Sequence, residues 1–297
     1  MKTVAILTPT YNRAHTLPRL YQSLREQTSF DFTWYVVDDG STDETCQTVN
    51  QFHNADFDVV FIQKRNGGKH TALNKGLEHI LEELTFIVDS DDYLLSNAVE
   101  TVVKDWDIYK NRQNVCGLCY YKQYQDGTVV GDRYYFDSPM VDTYTNVRIN
   151  KDVKGDKAEI YRTEILKLYP FPEIPGEKFL SEAVIWHAIS RDSYELAFIG
   201  KSIYVCEYLE DGLTASGRKY RLQNPIGTME HAKAFLYDSV KLKYRMKYML
   251  LYTATRPFAK TSVREAYRNL PCFRLGYLIC LLPGWILAQY WKHKYHL

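Results

Sequence analysis

The sequence lacks most of the features that classify a chain quickly. Its 297 residues contain no GxGxxG fingerprint and no Walker A spacing, so neither a dinucleotide-binding nor an ATPase reading has support. Repeats and low-complexity segments are absent, which excludes solenoid, collagen-like and disordered classes. With 45% hydrophobic and 25% charged residues, the chain has the composition of a protein with a sizeable core. Cysteine is scarce, six in all. The lone CxxC, Cys116 and Cys119, is followed by no second pair or paired histidines at zinc-site spacing, and Val115-Cys116-Gly117-Leu118-Cys119-Tyr120 reads as a buried strand. A signal peptide is missing too: Met1-Lys2 leads directly into Val4-Ala5-Ile6-Leu7, so a reducing cytosol is expected. The uncharged stretch Leu275 to Trp291 has 17 positions and is interrupted by Pro283-Gly284, short of the about 20 residues of a spanning helix.

Net charge is also small, only +1, but it is unevenly placed. From Lys233 to Leu297 there are twelve basic and two acidic residues, a local net of +10, which leaves the first 232 residues at −9. That asymmetry predicts a polyanionic surface contacted by the tail and a cationic ligand, such as a metal, held by the body. In the tail, Leu242, Met246, Met249 and Leu250 share a helical face beside Lys241, Lys243, Arg245 and Lys247. Trp285, Tyr290 and Trp291 fit an aromatic belt, with Lys292 and Lys294 suited to anionic headgroups. The tail is therefore read as a basic, helical extension lying on an anionic membrane; packing on the body or forming a homodimer is the alternative.

What is present is an alternation of strand and helix signals over the first 115 residues. Val4 to Leu7, Trp34 to Val37, Val59 to Ile62 and Phe86 to Val88 are short apolar runs. Between them lie a helical pattern at Leu17, Leu20, Tyr21 and Leu24, a capping box at Ser41-Thr42-Asp43-Glu44, and a helix over 72–84. Such order predicts an α/β fold with a mostly parallel central sheet and helices on both faces, ligands gathering at the carboxyl ends of the strands. The polar clusters fall at those ends. A further helix is expected over 178–190.

Asp89-Ser90-Asp91-Asp92 places three carboxylates within four residues. Their repulsion is offset best by a hard cation, Mg²⁺ or Mn²⁺, which keeps positions open for phosphate oxygens; a solvated acidic turn is the bland alternative. Asp38-Asp39-Gly40-Ser41 offers a carboxylate to the N3-H of a uracil or thymine, or is an ordinary capped turn. Asn66-Gly67-Gly68-Lys69 combines glycines that permit close approach with a lysine that can meet a diphosphate.

Thr8-Pro9-Thr10-Tyr11-Asn12-Arg13, Val37-Asp38-Asp39-Gly40-Ser41-Thr42-Asp43, Asn66-Gly67-Gly68-Lys69 with Ala72-Leu73-Asn74, and Asp89-Ser90-Asp91-Asp92 stand in an order and spacing that resemble family 2 glycosyltransferases of the GT-A fold. The resemblance covers about the first 110 residues. It implies a metal-dependent, inverting transferase of a nucleotide-diphosphate sugar, most often a UDP-sugar, with a lipid-linked saccharide acceptor in capsule, O-antigen or cell-wall assembly. By position, Pro9, Thr10 and Tyr11 would line the nucleotide, Asp39 would hold the base, and Lys69 would sit near base or phosphate. Asp89 would contact ribose or ion, Asp91 would be the main metal contact, and Asp92 would lie near the donor sugar. The family's Glu-Asp pair has its nearest match at Ser181-Glu182, which makes Glu182 the candidate base and Glu177 its competitor. The Gly155-Asp156-Lys157 turn, with Lys157, would approach the donor sugar. Glu207 to Thr214 lacks the histidine relatives often carry there, leaving Arg218 or Lys219 to close on the diphosphate. A processive-synthase Gln/Arg-x-x-Arg-Trp signature is missing, so one sugar per encounter is expected.

The resulting organisation is a catalytic domain over 1–230, divided into a nucleotide-sugar half (1–112) and an acceptor half (113–230), and a basic tail over 231–297. The expected location is cytoplasmic, peripheral on the inner face of the cell membrane, with no nucleic-acid partner. A sugar nucleotidyltransferase, or a non-catalytic sugar-nucleotide or partner-binding module, is the alternative function.

Overall fold

A computed structural model describes residues 2–52, 56–136, 139–207 and 217–296. Its first half runs β1 (Val4–Thr10), α1 (Leu17–Arg25), β2 (Phe32–Asp38), α2 (Thr45–Asn50), β3 (Asp58–Gln63), α3 (Lys69–Leu77), β4 (Leu84–Ile87), β5 (Tyr93–Leu94) and α4 (Ala98–Tyr109). Every residue of β1 and β2 is buried, as continuous apolar runs covered on both faces must be. Alternation divides them between two cores. Val4 and Ile6 join Leu17, Leu20, Trp34, Val102 and Trp106 on one face, while Ala5 and Leu7 join Val37, Ala72, Leu73 and Leu77 on the other.

The second half adds β6 (Val115–Gln123), β7 (Met140–Asp142), a π-helical turn at Thr145–Asn150, β8 (Lys157–Arg162), α5 (Thr163–Leu168), α6 (Ala183–Arg191), β9 (Glu195–Val205), α7 (Gly217–Gln223) and α8 (Pro225–Ala234). Among the described residues the strands form one nine-stranded sheet in the order β3-β2-β1-β4-β8-β6-β9-β5, with β7 on β9. The parallel pairing expected from the βαβα order holds through β3-β2-β1-β4. Beyond β4, antiparallel β8 separates it from β6, so the second half mixes strand directions. Cys116 and Cys119 lie buried in β6, their thiols pushed up by burial, to about 12 for Cys116.

Register sets the site. Thr10 pairs with Asp38, and Leu7 with Ile87, so the loops after β1, β2 and β4 leave the sheet at one rim. The first two are tied together: Asn12 donates its backbone N–H to Ser41 Oγ at 2.8 Å and accepts the Thr42 N–H on Oδ1 at 2.8 Å. Two helix starts differ from the expected ones. Glu44, rather than Ser41, is the N-cap of α2, and Asp43 before it accepts from Thr45 N at 3.0 Å and from Ala14 N at 3.2 Å. Helix α6 begins at Ala183 rather than near 178, and the Lys178 N–H donates to Asn224 Oδ1 at 2.7 Å.

The tail contains α9 (Leu242–Thr255), α10 (Val263–Arg268) and α11 (Arg274–Tyr295). Residue 230 falls inside α8, whose Met229 and Ala232 share a core with Met249, Tyr252, Tyr277 and Cys280. The body and tail are thus joined by packed side chains. Gly284 of α11 crosses Thr253 of α9 so closely that a Cβ there would overlap the threonine side chain. Among the described residues no helix is long and apolar enough to cross a membrane.

Candidate active site

The rim opens into a cavity of about 1340 Å³ walled by both halves of the body and by the end of the tail. Pro9, Thr10, Tyr11, Asp39, Lys69, Asp89, Asp91, Asp92, Lys157 and Glu182 all border it. Glu177 does not. Its carboxylate accepts the backbone N–H groups of Ile226 and Gly227, each at 2.7 Å, and so caps the N-terminus of α8.

Lys69 is the hub. It opens α3, and its ammonium reaches Asp89 Oδ1 at 2.5 Å and Glu182 Oε1 at 2.7 Å. One cation therefore joins the acidic turn of the first half to the N-cap residue of α6 in the second. Burial pulls the Lys69 pKa down, but the charges of Asp89 and Glu182 outweigh it and hold the group well above the ordinary lysine value. Gly68, just before it, has φ +97, and a Cβ there would overlap the Lys178 carbonyl. Only glycine allows both that backbone and that approach.

The three carboxylates of the acidic turn have separate surroundings. Asp89 is held by Lys69 and, at 3.9 Å, by Lys122. Burial raises its pKa, and the two ammonium groups bring it below the usual carboxylate value. Asp92 is turned inward: Oδ2 accepts from Tyr204 OH at 2.7 Å and Oδ1 from the Glu207 N–H at 3.0 Å. Burial pushes it up to about 7, Lys122 opposing and Asp89 adding to the rise. Among the described residues, no other residue donates a hydrogen bond to the Asp91 carboxylate. Burial and then the charge of Asp89 raise its pKa.

These surroundings test the fit of a divalent ion. Among the described residues no group of three or more acidic, histidine or cysteine side chains converges as a metal cage. Mg²⁺ and Mn²⁺ do not require one, since they are commonly bound through one or two carboxylates with the rest from water and substrate phosphate. Asp91, a half-buried carboxylate whose pKa stays raised despite the charges of Arg13 and Lys69, and Asp89 beside it suit that mode. Asp92 is committed to Tyr204 and Glu207.

Asp39 is engaged as fully. Oδ1 accepts from Lys64 Nζ at 2.7 Å and the Gly67 N–H at 2.9 Å; Oδ2 accepts from the Gly68 N–H at 2.7 Å and Asn66 Nδ2 at 3.2 Å. Its four acceptor sites build the Asn66–Gly68 loop. A pyrimidine N3-H seeking this carboxylate would have to replace one of those donors.

Lys157 borders the cavity, but its ammonium turns back to the carbonyls of Val130 (2.9 Å) and Lys154 (3.1 Å). Burial, then the charge of Arg148, lowers its pKa to about 8. Arg218 borders the cavity from α7, its guanidinium 4.8 Å from the centre of the Trp291 ring. Of the segment Glu207 to Thr214, residues 208–214 lie outside the described residues.

The sequence reading missed Lys122, Tyr204 and Glu159. Lys122 sits at the end of β6, where the carboxyl-end rule applies, but a tyrosine-rich strand drew no attention to it. Its ammonium lies 3.9 Å from both Asp89 and Asp92 and 3.9 Å from the centre of the Tyr204 ring. Glu159, the one acid of β8, borders the cavity, and burial pushes it up to about 7, Arg148 and Lys122 opposing.

A mixed sheet with an acidic turn, a lysine and a carboxylate at one rim is the GT-A arrangement. The pattern of Glycosyl transferase family 2 matches residues 5–167, and the chain belongs to that family. It is 28% identical over 228 residues to the glycosyltransferase GlyA of Streptococcus pneumoniae, covering 74% of this chain and 30% of GlyA. To chondroitin synthase of Pasteurella multocida it is 34% identical over 103 residues, 35% of this chain and 11% of the synthase. Against the poly(ribitol-phosphate) β-N-acetylglucosaminyltransferase TarS of Staphylococcus aureus identity is 30% over 179 residues, 58% of this chain and 30% of TarS. The chain thus spans a third or less of the length of these relatives. In structure it matches S. aureus TarS 1–349 in complex with UDP-GlcNAc at a TM-score of 0.66 and 20% identity, covering 97% of this chain and 82% of that one. A mannosyltransferase of Pyrobaculum calidifontis in complex with GDP-Man and Mn²⁺ matches at 0.56 and 19% identity, covering 99% and 83%. At these identities the structural matches establish the fold.

Proposed function

We propose that the chain is an inverting glycosyltransferase that moves a sugar from a UDP-sugar to a saccharide acceptor, lipid-linked, in assembly of a bacterial surface polysaccharide. The observation that carries this reading is the convergence of Lys69, Asp89, Asp91 and Glu182 on one cavity in a family 2 chain. The donor class is supported by UDP-GlcNAc bound to TarS, and a polymeric acceptor by the similarity to a chondroitin synthase and to a poly(ribitol-phosphate) β-N-acetylglucosaminyltransferase.

In this mechanism Pro9, Thr10 and Tyr11 flank the nucleotide, and Lys69 meets the diphosphate. Glu182 takes the proton of an acceptor hydroxyl as that oxygen bonds to the anomeric carbon. The bond from that carbon to the diphosphate breaks on the opposite face, and UDP departs with its electron pair; single displacement inverts the centre. Asp91, with Asp89, would hold Mg²⁺ or Mn²⁺, whose chemistry is to neutralise charge on the leaving diphosphate.

The test is a panel of nucleotide sugars offered with and without Mn²⁺, scored by nucleoside diphosphate release. Release from one UDP-sugar above the others, lost in Asp91→Ala, is the expected result. If no nucleotide sugar is hydrolysed or bound, the reading fails; if Asp91→Ala matches the parent, the metal assignment fails.

A further inference from the structure

Helix α11 has two unlike faces. Gly276, Tyr277, Cys280, Gly284, Ala288 and Trp291 are buried, which pins the helix to the body. On the opposite side Leu275, Leu278, Ile279, Leu282, Ile286 and Tyr290 recur at intervals of three and four, with Trp285 at the edge of the stripe; all are between 51 and 69% exposed. Over 16 residues the stripe is roughly 24 Å long. Exposed apolar surface of that extent on one helix marks a contact with a partner or a lipid surface.

We propose that this face seats the protein on an anionic lipid bilayer, with α11 lying in the headgroup boundary. Charge selects the occupant. Arg274 precedes the stripe and Lys292 and Lys294 follow it, while Lys260, Arg264 and Arg268 are exposed on and beside α10. The segment from Lys233 onward carries a net +10. A second copy would set +10 against +10 at close range, whereas anionic headgroups match both the apolar stripe and its basic ends. Trp285 and Tyr290 are the residue types favoured at that depth.

The far end of the same helix reaches the cavity: Tyr295 borders it, and Arg218 of α7 stacks on Trp291. Resting on the transferase reading above, this places the cavity mouth beside the bilayer, where a lipid-linked acceptor presents its saccharide.

The experiment is co-sedimentation of the full chain with phosphatidylcholine vesicles and with mixed phosphatidylcholine–phosphatidylglycerol vesicles, no donor present. Binding is expected to the anionic vesicles only and to weaken with salt. Leu278→Glu/Leu282→Glu/Ile286→Glu should abolish it, and Lys292→Gln/Lys294→Gln should weaken it roughly fivefold for each basic residue removed. Circular dichroism checks that the variants are folded, which their exposure favours. The proposal is overturned if the triple variant sediments as the parent does. It is equally overturned if the parent ignores anionic vesicles and sedimentation velocity shows a dimer that the triple variant cannot form. Vesicle binding without sugar transfer would remove only the acceptor clause.

Discussion

At the residue scale the site depends on how charges are shared. Glu182 and Lys69 lie 2.7 Å apart, so the candidate base rests against a cation when no substrate is bound. Glu182→Gln is expected to lower transfer by roughly 10²- to 10⁴-fold, the usual worth of general base catalysis, while UDP affinity measured by calorimetry stays near the parent's. Equal losses of both would show that Glu182 serves binding instead. Much of this cluster was legible because the residues of each loop are contiguous: Pro9 to Tyr11, Asp38 to Ser41, Asn66 to Lys69 and Asp89 to Asp92 can be read as short motifs. What could not be read was how each carboxylate is occupied. Asp92 faces Tyr204, 112 positions away, and Glu177 caps a helix that starts at residue 225; neither partner leaves a local trace. Lys122 is hidden for the same reason.

At the element scale, strands were easier to place than helix boundaries. Strands β1 and β2 are buried throughout because both faces are covered, whereas the contacts beside the starts of α2 and α6, Asp43 with Thr45 and Lys178 with Asn224, are one local and one remote. The approach of the loop before α3 to Lys178 makes a sharp prediction. Gly68→Ala combines φ +97 with overlap against a carbonyl, so it should cost more than about 1 kcal/mol in urea unfolding and also weaken donor binding. An unchanged midpoint would mean that the loop and Lys178 are not in contact. A second prediction concerns α6 and α8, which bring His187 and His231 into the interior. Both are lowered to about 3, mainly by burial, with the charge of His231 adding for His187 and that of Arg221 for His231. Their neutral forms are thus favoured in the fold. The stability they allow is complete above the ordinary histidine value near 6.5 and is lost as pH falls from there toward 3. At pH 5 each should cost about 2 kcal/mol relative to pH 7. Melting curves at the two pH values should show a smaller acid loss in His231→Phe than in the parent; an identical loss would remove the assignment.

At the scale of the whole molecule the tail is structural as well as basic. Tyr277 and Cys280 of α11 fill a core with Met229 of α8 and Tyr252 of α9, so removing the chain beyond residue 270 would open the body. Gly284→Val, which drives a branched side chain into Thr253, is expected to destabilise the full protein by roughly 1–3 kcal/mol, read from denaturant unfolding. A neutral result would indicate that α11 rests on α9 only loosely. Sequence composition separated tail from body by charge, but charge does not report packing: the apolar residues that join α8 to α9 and α11 lie on both sides of the charge boundary.

The single ammonium that holds Asp89 and Glu182 together has a kinetic consequence. In the proposed transfer mechanism, a diphosphate that drew Lys69 toward itself would release Glu182 in the same movement, making donor loading and base activation one event. Substrates should then enter in sequence, sugar nucleotide first. UDP should inhibit competitively against the donor and non-competitively against the acceptor, and in Lys69→Met that order should give way to random addition.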